Sequence, residues 1–141
     1  MIRSGLIEGL AFGKQVNGDG RVKGDGRHEI CDELNISEEW ATINQVHGAD
    51  VLWTDEPGVV GDADGVATTA RLLPLAVRTA DCVPVALESE ESIALVHAGW
   101  RGVAAGVVPA MVAAMQSEGH SPVRVSIGPH IKPCCFEVGE E

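Results

Sequence analysis

A chain of 141 residues, 45% hydrophobic and 22% charged, is long enough to build one domain with its own core, which excludes wholesale disorder and a coiled coil. The net charge of -11, from 10 Lys and Arg against 21 Asp and Glu, opposes a counterion-releasing grip on nucleic acid or anionic lipid, yet a small anion held locally stays compatible with it. No apolar run approaches the roughly 20 residues that cross a bilayer, and MIRSGLIEGLAFGKQ lacks a secretory apolar core, so a cytoplasmic protein is expected.

In chain order, residues 13–28 (GKQVNGDGRVKGDGRH) carry five glycines and mixed charges without an apolar period and read as irregular. A short helix is expected over His28 to Leu34, then a turn at Asn35 to Ser37 capping a second short stretch at Glu38 and Glu39. From Thr42 the texture changes. TINQVHGADVLWT, LPLAVRT, VPVALES, SIALVHA and VRVSIG are apolar or alternating runs punctuated by Gly, Asp, Pro and Ser, and they read as strands. GDADGVATT starts like a calcium loop at Asp62 and Asp64 but lacks the later oxygen ligands, so Asp-Gly turn chemistry is the reading there.

GVAAGVVPAMVAAMQSEGH reads as a helix starting near Gly102 and ending at Gly119. Its apolar stripe is Val103, Val107, Ala110, Met111, Ala114 and Met115, with Pro109 marking a kink or a restart. IGPHIKPCCFEVGEE reads as a loop whose two thiols pack into the core, with no role assignable to Glu137. The pattern is α+β, strand-rich with one long late helix, and regular βαβ alternation is not supported.

Three residues share one setting: His47, Cys82 and His97 each stand at or just past the end of an expected strand, where side chains from different strands can converge on one sheet edge. Two imidazoles and a thiolate suit zinc and also accept copper, and three protein ligands leave a tetrahedral ion one open position. Other readings stand beside this one. A histidine or cysteine taken alone is more often a satisfied buried side chain; His28 with Cys31, or His130 with Cys134, could serve as ligands; and Cys82 could be a thiolate nucleophile with His97 or His47 as base. In a cytoplasmic chain Cys31, Cys82, Cys134 and Cys135 read as free thiols or metal ligands rather than disulfides. Gly99 and Gly102 allow close backbone approach beside His97. The free N-H groups of the following helix favour a bound anion there, with Trp100 available for stacking on a flat ring and Arg101 for phosphate, against the commoner fates of a core Trp and a solvated Arg.

Taken together, QVHGADV, DADGVATT, RTADCVPVAL, VHAGWRG and IGPHIKPCCFEVG resemble the YfiH-like family, variously described as multicopper polyphenol oxidoreductases or laccase-domain proteins, peptidoglycan editing factors and purine nucleoside phosphorylases. The likeness runs from Asn44 to Gly139 in consistent order. It implies layered mixed β-sheets with outer helices in a single domain over 1–141, and zinc held by His47, Cys82 and His97. It implies phosphorolysis of adenosine, inosine, guanosine and methylthioadenosine and hydrolytic deamination of adenosine, with nucleoside and phosphate as partners. On this reading Arg101 and the helix start near Gly102 hold phosphate. The alternatives are a copper-dependent polyphenol oxidoreductase, for which five histidines are few, a Cys-His thiol hydrolase including a cell-wall editing enzyme, and a catalytically silent short member. Two departures matter: family members continue beyond CCFEVG with further sheet and helix, and their usual amino-terminal Ser-Thr-Arg-type segment is replaced here by the Gly-rich stretch. Either a carboxy-terminally truncated chain or an unusually small member is therefore expected, and an exposed sheet edge in either would invite self-association into a homo-oligomer.

Overall fold

The computed structural model describes residues 2–3, 10–12 and 26–137. In chain order the elements are β1 (Ile2–Arg3), β2 (Ala11–Phe12), α1 (Gly26–Leu34), β3 (Ala41–Asn44), β4 (Val51–Trp53), β5 (Gly58–Asp62), β6 (Gly65–Thr68), β7 (Leu75–Ala76), β8 (Val83–Glu88), β9 (Ile93–Ala98), α2 (Trp100–Ala105), α3 (Val107–Ser117) and β10 (Arg124–Ile127). The architecture is α+β, with mixed sheets and helices in one small domain.

Five strands form one sheet in the order β10-β8-β9-β6-β4, antiparallel except for the parallel pair β4 and β6. A second sheet, β5-β3-β7, is parallel throughout. The period of two along a strand sends neighbours to opposite faces, and this creates two cores. Ala94, Val96 and Ala98 of β9 join Ala67, Val85 and Leu87 against Val107, Met111 and Met115 of α3. On the other face Val66 meets Ile43 and Ala63, with Leu52, Val60, Leu75, Val77 and Leu95 packed around them. Helix, larger sheet and smaller sheet therefore stack as successive layers, and His97, on the Leu95 face of β9, points away from α3.

Several expectations need correction. Gly26–His28 belong to α1 rather than to the irregular segment, whose residues 13–25 lie outside those described. No second helix follows at Glu38 and Glu39; the Ser37 hydroxyl accepts the Glu39 N-H at 3.0 Å in a turn without a helix behind it. The run from Thr42 to Thr54 is two strands in different sheets, split by the loop that carries His47. GDADGVATT contains β6, fully buried between both cores, where turn chemistry alone was expected. The late helix is two helices, α2 and α3, because Gly106 adopts a left-handed φ of 86° that ends the first and starts the second. The break turns Val103 off the stripe, leaving it 57% exposed, while Val107, Met111 and Met115 are fully buried. Pro109 falls in the first turn of α3, where a missing N-H costs nothing.

Candidate metal centre

The site is assembled from three loops and one strand. Asp64, the residue before β6, is completely buried. Its carboxylate accepts three consecutive backbone N-H groups: Val46 at 3.2 Å, His47 at 3.0 Å and Gly48 at 2.6 Å. Curling successive N-H groups around one anion forms a concave nest. That curl requires left-handed backbone at its centre, and His47 has φ 60°. The conformation that orients the His47 ring is thus held by a carboxylate distant in sequence.

The same carboxylate reaches the opposite side of the site. Its Oδ1 lies 2.7 Å from Nδ1 of His97, and the Asp64 carbonyl accepts the His97 backbone N-H at 2.7 Å. Burial alone would push the Asp64 carboxyl up. The hydrogen bonds from His97 and from the N-H groups of Gly48, His47 and Val46 outweigh burial and hold it below the usual range. An ionised Asp64 fixes the proton of His97 on Nδ1 and turns the lone pair of Nε2 outward, the arrangement that a carboxylate bonded behind a ligating histidine imposes.

Gln45 secures the third element. Its side-chain amide donates to the Arg78 carbonyl at 2.7 Å and accepts the Arg78 N-H at 2.9 Å, tying the His47 loop to the segment that leads to Cys82. Gly102 closes the arrangement from below: a Cβ there would stand 2.7 Å from the Gly48 carbonyl oxygen, so only glycine lets α2 approach the loop.

All three candidate ligands converge at Gly99. A Cβ on that residue would meet His47 Cδ2 at 2.9 Å, Cys82 Sγ at 3.2 Å and His97 Cε1 at 3.6 Å. The His47 and His97 rings meet edge to face with centroids 4.8 Å apart. The donor atoms of His47, Cys82 and His97 all lie within 4.8 Å of one another, the one such group of three among the described residues. An ion bonded at about 2.0 to 2.3 Å to each would draw donors to about 3.5 Å, an adjustment of about 1 Å that side-chain rotation supplies. The donor set, its spacing and the carboxylate behind His97 all fit a thiophilic divalent cation. Without a cation, burial followed by the Asp81 and Asp64 charges pushes the Cys82 thiol up; a positive ion is a partner that would favour its thiolate.

The competing ligand pairs do not form. The buried Cys31 thiol donates to the Ser37 carbonyl at 3.3 Å, while His28 lies against Glu38 and Asp32. His130 Nδ1 approaches the Gly128 carbonyl at 2.8 Å, and Cys134 contacts Cys135. Arg101 stands outside the trio, on the exposed side of α2, with its guanidinium 4.6 Å over the ring of Trp100. Trp100 is 41% exposed rather than a core residue. Helix α2 begins at Trp100, closer to His97 than expected, but its six residues carry only a weak dipole. Asp64 and Gln45 were missed by sequence reasoning: Asp64 looked like a turn residue, and nothing in the spacing marks a carboxylate whose partners lie 16 to 33 residues away.

A profile described as multi-copper polyphenol oxidoreductase laccase matches residues 2–141. The chain is similar to the purine nucleoside phosphorylase of Aquifex aeolicus (strain VF5), 41% identical over 87 residues that cover 62% of this chain and 41% of that protein. It is also similar to purine nucleoside phosphorylase ORF3 of Streptomyces griseus, 38% identical over 141 residues covering 94% of this chain and 57% of the relative. The crystal structure of YlmD from Geobacillus stearothermophilus superimposes with a TM-score of 0.75 at 33% identity, over 82% of this chain and 51% of that one. The chain thus spans about half the length of the relatives it matches.

Proposed function

Because the chain belongs to the multi-copper polyphenol oxidoreductase laccase family, we propose that it is a zinc-dependent purine nucleoside enzyme that carries out phosphorolysis, with hydrolytic deamination of adenosine as a companion activity. The observation that carries the reading is the convergence of His47, Cys82 and His97 on Gly99, with His97 backed by the buried Asp64. The names of the relatives, purine nucleoside phosphorylases, supply the substrate class.

His47, Cys82 and His97 would hold the ion, and a bound zinc ion supplies Lewis-acid polarisation of a substrate oxygen or nitrogen and activation of water. In phosphorolysis a phosphate oxygen bonds to the ribose C1′ while the glycosidic bond to the purine nitrogen breaks, so the protein must hold an anion and a flat base on either side of C1′. Arg101 is assigned to the phosphate. Its guanidinium lies over the Trp100 ring, two residues from Gly99, which limits its freedom. Asp64 keeps His97 in one tautomer throughout, so its Nε2 stays a lone-pair donor. Gly99 keeps backbone close to the three candidate ligands, and Gly102 keeps α2 close to the His47 loop.

The test is elemental analysis of protein purified without added metal, followed by phosphate-dependent release of hypoxanthine from inosine and adenine from adenosine. Zinc near one equivalent, phosphate-dependent release and its loss in Cys82→Ala support the reading. Metal-bound protein with no release in any nucleoside would leave a binding or structural role instead. The family description favours one further test, oxygen consumption with a phenol and added copper; a laccase centre of several coppers needs more ligands than the single group of three among the described residues.

A further inference from the structure

Cys134 and Cys135 are not core residues. Both thiols are exposed, which corrects the packing role expected of them, and their Sγ atoms lie 3.1 Å apart. The Cys135 N-H donates to the Lys132 carbonyl at 3.0 Å, closing a turn in which Pro133 fixes the first central residue and holds the two side chains on one exposed bend. We propose that Cys134 and Cys135 form a chelating dithiol site for a thiophilic trivalent metalloid, of the arsenical class, that brings its own third substituent.

The geometry selects this ligand class. Sulfur bonds of about 2.3 Å, the length of a metal-thiolate bond, span 3.1 Å at a bond angle of roughly 85° and about 3.8 Å at the tetrahedral angle. A pyramidal centre therefore fits with less than 1 Å of adjustment, whereas a linear two-coordinate ion would need the sulfurs far further apart. The hydrogen bond with Cys134, followed by burial, pushes the Cys135 thiol up, away from the thiolate form that attacks peroxides. Chelation does not need one. With an organoarsenic oxide, two S-H bonds break and two As-S bonds form; arsenic stays trivalent, and its oxygen departs with both protons as water.

The remaining cysteines cannot chelate in this way. Cys31 is buried with its thiol on the Ser37 carbonyl, and Cys82 has two imidazoles beside it but no second thiol. The Ile131 N-H donates to the Asp81 carbonyl at 3.0 Å, which places the dithiol turn on a segment anchored to the residue before Cys82. A captured metalloid would therefore sit on the strap that borders the candidate centre.

The experiment adds one equivalent of phenylarsine oxide to the full chain and follows intact mass while glutathione is added, then 2,3-dimercaptopropanol. One phenylarsine adduct should form, withstand glutathione at least about a hundredfold better than a single-thiol adduct because the second sulfur reacts intramolecularly, and leave with the dithiol. Cys134→Ser and Cys135→Ser should each lose the resistance, and Cys82→Ser should keep it. Absence of a resistant adduct on the folded wild-type chain, its persistence in both exposed-thiol variants, or its loss in Cys82→Ser would each overturn the proposal. Since this readout needs no nucleoside turnover, failure of the enzymatic reading leaves it intact.

Discussion

Replacing Gly99 by alanine adds one methyl group at the point where the three candidate ligands meet. The backbone accepts it: Gly99 has φ -69° and ψ 160°, ordinary extended values, and as the residue preceding α2 it makes no side-chain cap. Loss of a glycine at such a position costs about 1 kcal/mol or less of stability. The side chains do not accept it. The new Cβ would lie 2.9 Å from His47 Cδ2 and 3.2 Å from Cys82 Sγ, several tenths of an ångström inside normal contact. His47 is exposed and swings away first, carrying its donor off the shared centre. Displacement of one ligand by that amount is comparable with losing an outer-shell partner, a 10- to 100-fold drop in metal affinity, or about 1.4 to 2.7 kcal/mol. The assay is competition against a chromophoric zinc chelator, paired with urea unfolding of the metal-free protein. Unchanged affinity in Gly99→Ala would refute the reasoning, as would a stability loss in the metal-free protein larger than the affinity loss.

Asp64→Asn should cost about 2 to 4 kcal/mol in urea unfolding of the metal-free protein, because an amide cannot accept four donors and sets its own NH2 against N-H groups; a loss below 1 kcal/mol would show that the nest does not depend on charge. Arg101→Ala should raise the phosphate KM about tenfold or more while moving the nucleoside KM much less, and equal effects on both would remove Arg101 from the phosphate site. Asp55 governs an acid-side effect. Hydrogen bonds from the Thr68 hydroxyl, the Thr69 N-H and hydroxyl and the Ala70 N-H hold its carboxyl below the usual range. A depressed folded-state pKa contributes stability that is fully present above the unfolded value near about pH 4 and is lost as pH falls through the folded one. The stability gap between wild type and Asp55→Asn should therefore be constant at neutral pH and close below about pH 4; a gap that widens on acidification would contradict the assignment.

Where burial leaves a simple periodic trace, sequence reading succeeded. β8 and β9 were visible because each is an uninterrupted run packed between neighbouring strands, β10 was visible as an alternating run although it lies at the sheet edge, and Val107, Met111 and Met115 follow the helical period. β6 was not visible: Gly65, Val66, Ala67 and Thr68 are small and begin within an Asp-Gly pair, so local turn chemistry hid a strand stabilised by its neighbours β4 and β9 and by both cores. The helical stripe failed at Val103 because Gly106 resets the phase, a backbone event that side-chain periodicity does not register. His47, Cys82 and His97 were legible as ligand types at strand ends and through five family motifs, and Gly99 as a place of close approach. Their meeting was not, since it depends on Asp64 and Gln45 linking segments 16 to 33 residues apart.

The two sheets touch through Ile43, Ala63 and Val66, with Leu52, Val60, Leu75, Val77 and Leu95 packed around them. His47 follows a strand of the smaller sheet and His97 belongs to the larger one. Any cation shared between them rivets the layers together, and because the unfolded chain offers no such pair of anchors, the melting temperature should climb with the logarithm of free zinc. Starvation for the ion would then loosen the seam before it disturbed either sheet, making cation supply a determinant of how long the fold survives.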